Sequence, residues 1–232
     1  MAATVLGADG APGGWIVAEV SGAGDALLEL HSLRFVASLD QSVKRLHRDA
    51  AVLAVDMPIG LSTNGDRPAD QLARKRLGPR HSTFFPTPIR SMLDFDDYIS
   101  ANAHSKHVGG VGLSKQAWNL LPKINEVDIL WTEELASRLV EAHPETSLAA
   151  MAGAPVMSKK ATADGKTERE RLLGSVYAPS LQSELDELAP KWRVDALDAC
   201  AIAWTASRHA QGVAEILGGD LDAMGRPMQL TI

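Results

Sequence analysis

A chain of 232 residues, 45% of them hydrophobic, has room for one domain with a substantial core, with or without a sizeable insertion. Its formal net charge of −6 argues against a broad basic face that wraps nucleic acid, yet leaves room for an acidic site neutralised by metal ions. Cys200 is the single cysteine, so no internal disulfide can form, and a reducing cytoplasm is expected. The first ten residues carry neither the basic start nor the apolar stretch of a signal peptide, and no run nears the roughly 18 apolar residues of a membrane span. A soluble cytoplasmic protein without membrane association is therefore expected.

Thr4 to Ala8 is a short apolar run that closes on Asp9. Gly10-Ala11-Pro12-Gly13-Gly14 reads as a turn, and Trp15 to Val20 as a second strand, so the two form a hairpin. Gly22 and Gly24 mark another turn before a third strand over 27–35. Leu39, Val43 and Leu46 recur at helical spacing, which predicts a helix over Ser38–Arg48 with Ser38 as its cap. Next comes Ala51-Val52-Leu53-Ala54-Val55, apolar on both faces like a central strand, ending at Asp56 before Pro58 and Gly60 break the backbone. Parallel neighbours terminate in the same direction, so pairing this fourth strand beside the first brings Asp9 and Asp56 to one edge of the sheet.

Residues 62–135 read as an insertion, largely helical, that packs over the sheet and toward the site. Arg67, Asp70, Arg74, Lys75, Arg76 and Arg80 form a charged, helix-like stretch. His81 to Pro88 reads as extended because of its prolines, and Leu113 to Asp128 as a helix disturbed by Pro122. Arg138 to Ala142 is the fifth strand, leading into His143-Pro144-Glu145, where Pro144 suits a helix start. Lys159, Lys160, Lys166, Arg169 and Arg171 form the one local concentration of positive charge. A long helix opens near Arg193 and presents Asp195 and Asp198 on one face, and Met224 to Ile232 reads as a terminal strand or an ordered tail.

Asp9, Asp56, one of Glu141 or Glu145, and one of Asp195 or Asp198 thus converge. Crowded carboxylates repel unless a cation lies among them, and oxygen donors suit Mg2+ or Mn2+. Each acid also has a plainer reading, as a helix cap or a surface ion pair, and His143 reads as a ligand, a base or a packed structural histidine.

The segments GADGAPGGW, AVDMPIGL, R-P-A-D-x-x-A-R at Arg67–Arg74, STFFPTP, GLSKQAWN, KINEVD, EAHPE, SKK and VDALDACAIA run through nearly the whole chain. In that order they resemble the DUF429 family, predicted nucleases with an RNase H-like fold. The resemblance implies one α/β domain over residues 1–232, a mixed five-stranded sheet of order 3-2-1-4-5 flanked by helices. It implies an acidic site of Asp9, Asp56, Glu145 and Asp198, with Glu141, His143 and Asp195 around it. Lys159, Lys160 and Arg169 would hold substrate phosphates. The expected activity is divalent-metal-dependent hydrolysis of phosphodiesters, on nucleic acid or nucleotide. Asp9-Gly10 with Gly13-Gly14 also suits a phosphate loop of a small-molecule kinase or nucleotide hydrolase, and a non-catalytic binding module is the remaining alternative.

Overall fold

A computed structural model describes residues 3–22 and 27–232. Strands β1 (Thr4–Ala11), β2 (Gly14–Ser21), β3 (Glu29–Val36), β4 (Ala50–Val55) and β5 (Leu139–Glu141) form one sheet in the order β3-β2-β1-β4-β5. The first three pair antiparallel, whereas β4 runs parallel to β1 and β5 parallel to β4. This is the order and polarity expected from the sequence.

The first turn is tighter than the Gly-rich run suggested. β1 continues through Asp9, Gly10 and Ala11, and only Pro12 and Gly13 form the corner, with Gly13 at φ 80°. Proline followed by a left-handed glycine is the pairing a type II turn uses. Asp9 is therefore inside the strand, opposite Ile16, rather than at its end. The expected turn residue Gly24 lies outside the described residues.

Alternation along the strands sets the two faces. Val5, Ala11, Val52, Ala54 and Val140 join a core built with α5 (Pro144–Ala152), α6 (Ala163–Tyr177), α7 (Ser180–Glu187) and α8 (Arg193–Ala210). Leu6, Ala8, Leu53, Val55 and Leu139 join the opposite core, with α1 (Asp40–Leu46) and α4 (Lys115–Leu130). α8 lies directly on β1. A Cβ added to Gly7 would meet Ala203 N at 2.3 Å and Ala199 O at 2.5 Å, so strand and helix touch backbone to backbone. The run of small residues Ala196, Ala199, Cys200 and Ala203, all fully buried, permits that approach.

Between β4 and β5 lie α2 (Pro68–Leu77), α3 (Tyr98–Gly109) and α4, the last running through Pro122. His81–Pro88 is only partly extended, because a 3-10 turn over Gly78–Thr83 takes its first three residues. The first predicted helix is shorter, with Leu39 as its cap, although Ser38 Oγ still accepts from Asp40 N at 3.1 Å. The tail forms a ribbon of β6 (Ile216–Leu221) and β7 (Pro227–Thr231), fastened to the fifth strand's end by a bridge between Ala142 and Thr231. Among the described residues no helix is long and apolar enough to cross a membrane.

Candidate active site

Asp9 shares its face of β1 with Val5 and Gly7, so its carboxyl points toward α8. Asp56 is the first residue past β4, two positions beyond Ala54 on that same face, and its N–H extends the ladder by donating to Ala8 O at 2.9 Å. Asp198 lies in the second turn of α8 and is 1% exposed. Period-two alternation on two parallel strands and one helical turn thus bring three acids to one point.

The charges there are poorly balanced. Asp9 and Asp56 share a side-chain hydrogen bond. Burial, with Asp198 and Asp56 adding to it, holds the Asp9 carboxyl well above the usual range. Burial also pushes Asp56 up to about 7, against the opposing effect of the hydrogen bond from Asp9. The bond favours the neutral form of Asp9 and the ionised form of Asp56. Asp198 Oδ2 accepts from Lys160 Nζ at 2.8 Å, whereas its buried Oδ1 has no partner among the described residues. Burial works against the Lys160 charge, but Asp198, Asp9 and Asp56 together outweigh it and raise the ammonium's pKa. Lys160 comes in from an exposed loop, and its side chain keeps 51% of its surface in solvent.

The remaining predicted residues divide. Asp9, Asp56, His143, Glu145, Lys160 and Asp195 line one cavity of about 330 Å³. Asp195 lies in the first turn of α8, which Trp192 rather than Asp195 precedes as cap, and burial followed by Asp198 raises its pKa. Glu145 Oε1 accepts from Arg169 Nη2 at 2.5 Å, and Arg169 Nη1 donates to Ser158 O and Gly165 O. With its guanidinium so enclosed, Arg169 is a buried strut rather than a free substrate contact. Lys159 is exposed, and its carbonyl accepts from Thr162.

Glu141 follows Val140 and points to the opposite face. There it accepts from Arg67 at 2.7 and 2.6 Å and from Ile59 N at 2.7 Å. Arg67, 1% exposed, also donates to Asp70 Oδ1 and to the Ile59 and Gly60 carbonyls. This network clamps the loop after Asp56 from below. Asp222, in the turn of the β6–β7 ribbon, accepts from Leu61 N at 2.9 Å and holds the same loop from the other side. His143 packs against Phe84 at 4.7 Å between centroids. Burial, then the nearby Lys160, lowers it to about 3, so the ring is neutral at ordinary pH and its buried Nδ1 has no partner among the described residues.

A sequence profile of one family, described as proteins of unknown function, covers residues 7–223. The chain belongs to the DUF429 family. No curated protein and no solved structure matches it. Membership supplies no chemistry, so the side chains must carry the DUF429 site reading. Among the described residues no three carboxylate, imidazole or thiol groups are already arranged as a metal shell. The donor chemistry nevertheless fits a hard divalent cation: three acids within one charge cluster, one buried oxygen without a partner among the described residues, and Lys160 paired with Asp198, with Lys123 near Asp9. Two contributors, Arg67 and Asp70, gave no sign in sequence of being buried. Arg80, Ser82 and Gln116, which also line the cavity, were equally silent.

Proposed function

We propose that this protein is a divalent-metal-dependent phosphodiester hydrolase, acting as a nuclease. The observation that carries the reading is the cluster of buried Asp9 and Asp198 with half-buried Asp56, in which Asp198 Oδ1 lacks a partner among the described residues and Lys160, with a smaller contribution from Lys123, offsets the charge. Such an arrangement is costly in an apo protein and is relieved by a cation. Asp9, Asp56 and Asp198 would hold Mg2+ or Mn2+, and Glu145 could join them only by giving up its bond from Arg169. The ion would supply positive charge to an oxyanion and acidify water.

The chain's own residues do the rest. Asp9, its carboxyl held well above the usual range, would carry a proton shared with Asp56 in the absence of a cation. Neutral His143 lines the cavity with an unpartnered Nδ1, placed to hydrogen-bond and orient a water or a hydroxyl, whereas its lowered pKa makes it a poor proton acceptor. Lys160 balances the cluster while no cation is bound and is exposed enough to turn toward a phosphate. The test is Mn2+-dependent cleavage of single strands, duplexes, hybrids and branched nucleic acids, with Asp9→Asn as the control. Cleavage abolished in the variant supports the reading. Cleavage of none above the control overturns it.

A second reading has one observation in its favour. A cavity of about 330 Å³ is at the small end of the roughly 300–1,000 Å³ range of small-molecule sites. It suits a nucleotide or another small phosphate ester, and hydrolysis confined to mononucleotides or dinucleotides would select it.

A further inference from the structure

Five arginines lie between residues 62 and 135, and four of them are matched with acids. Arg67 meets Glu141 and Asp70, Arg74 meets Asp66, Arg76 meets Glu215, and Arg90 meets Asp128 and Asp222. Arg80 is different. Its guanidinium has no hydrogen bond or ion pair among the described residues; its buried Nε lacks a partner, as do Arg74 Nη2 and Arg90 Nε, but those two side chains are anchored through their other nitrogens. Yet it lines the same cavity as Asp9, Asp56 and Glu145, forming no ion pair with any of them.

Its position is fixed rather than accidental. The 3-10 turn that carries it is closed by Thr83 Oγ1 donating to the Arg80 carbonyl at 2.8 Å and by Phe84 N donating to His81 O at 3.1 Å. Phe84 in turn packs on His143, which anchors the turn beside the acids. Ser82 and Gln116 add a hydroxyl and an amide to the same wall. A desolvated guanidinium nitrogen left without an acceptor is unfavourable in a finished interior. It becomes favourable once an oxyanion arrives, because the planar fork of arginine matches two oxygens of one phosphate.

We infer that Arg80, with Ser82 and Gln116, forms the anion subsite of this cavity and grips the non-bridging oxygens of a phosphate group. The inference rests on the phosphate-ester reading only for what the phosphate belongs to. The fork is supplied by the segment inserted between β4 and β5, and the acids by the sheet and α8. Substrate would thus bridge the two walls, with its phosphate between Arg80 and the carboxylates. The basic cluster at Lys159, Lys166 and Arg171 has no part in this contact.

The test titrates inorganic phosphate into the full chain by calorimetry, in EDTA and again in Mn2+. Wild type, Arg80→Ala and Arg80→Lys are compared, each checked by its thermal midpoint. Wild type should bind phosphate, more tightly in Mn2+. Arg80→Ala should lose about ten- to a hundred-fold in affinity, and Arg80→Lys should recover part of the loss. The midpoint of Arg80→Ala should be unchanged or higher, since Nε gives up no bond. Equal affinity in wild type and Arg80→Ala overturns the subsite, as does a fall in midpoint, which would mark Arg80 as structural. Arg80-dependent phosphate binding without cleavage of any substrate keeps the subsite and removes the hydrolase. Cleavage with phosphate affinity indifferent to Arg80 does the reverse.

Discussion

Replacing Asp56 by asparagine should stabilise the metal-free protein at alkaline pH and make no such difference in acid. Burial lifts the Asp56 carboxyl from 3.8 to about 7, so the folded state holds a proton that the unfolded chain releases near pH 4. The sign follows directly. The stability linked to this proton is complete below the unfolded pKa and is lost as pH rises through the folded value. At about 1.4 kcal/mol for each pH unit between the two, the loss reaches at most about 4 kcal/mol by pH 8. The asparagine of Asp56→Asn does not titrate, and its carbonyl oxygen can still accept the proton that Asp9 donates. Urea unfolding in EDTA, from about pH 5 to pH 9, should show the variant gaining on wild type as pH rises. Mn2+ should then restore stability to wild type and not to the variant. A pH-independent gap, or a wild type the more stable at the alkaline end, would refute the charge-crowding argument.

Two further substitutions test the framework of the site. Gly7→Ala places a methyl against the backbone of Ala199 and Ala203, at 2.5 and 2.3 Å, so α8 must move; a loss of about 1–3 kcal/mol in urea unfolding is expected, and an unchanged midpoint would count against the contact. Arg67→Met strands Glu141 and Asp70 in the interior, which should cost about 3–5 kcal/mol, and adding Glu141→Gln should recover part of it. If Arg67→Met alone is as stable as wild type, the network is not what holds the loop after Asp56.

The sheet was legible because four of its strands are short apolar runs, β3 alternates, and the two acid-tipped runs had to terminate together. Alternation could have taken the reading one step further. Counting from Val5 to Asp9 and from Val52 to Asp56 puts both acids on the α8 face, whereas Glu141, one past Val140, falls on the other. The helices that escaped notice had little pattern to show. In α6 charged residues surround a narrow buried stripe of Arg169, Leu172, Leu173 and Tyr177, and β6 is exposed along its length with two glycines in its middle. α7 did carry a signal, since its buried Leu181 and Leu185 are four apart. Ion pairing was beyond reach. Nothing local distinguishes a buried strut at Arg67 or Arg169 from a free cation at Arg80: Asp70 is near Arg67 in sequence, but the burying partner Glu141 is 74 positions away, and Glu145 is 24 from Arg169.

The glycine contact between β1 and α8 has a mechanical meaning. Asp9 and Asp198 ride on two members that meet main chain to main chain, with no cushion of side chains between them to yield. When both acids ionise they cannot drift apart, so their repulsion must be met by a proton, by the Lys160 ammonium, or by an arriving cation. On the metal-binding reading proposed above, ion affinity and fold stability are linked, and a substitution that loosens the joint should weaken both together.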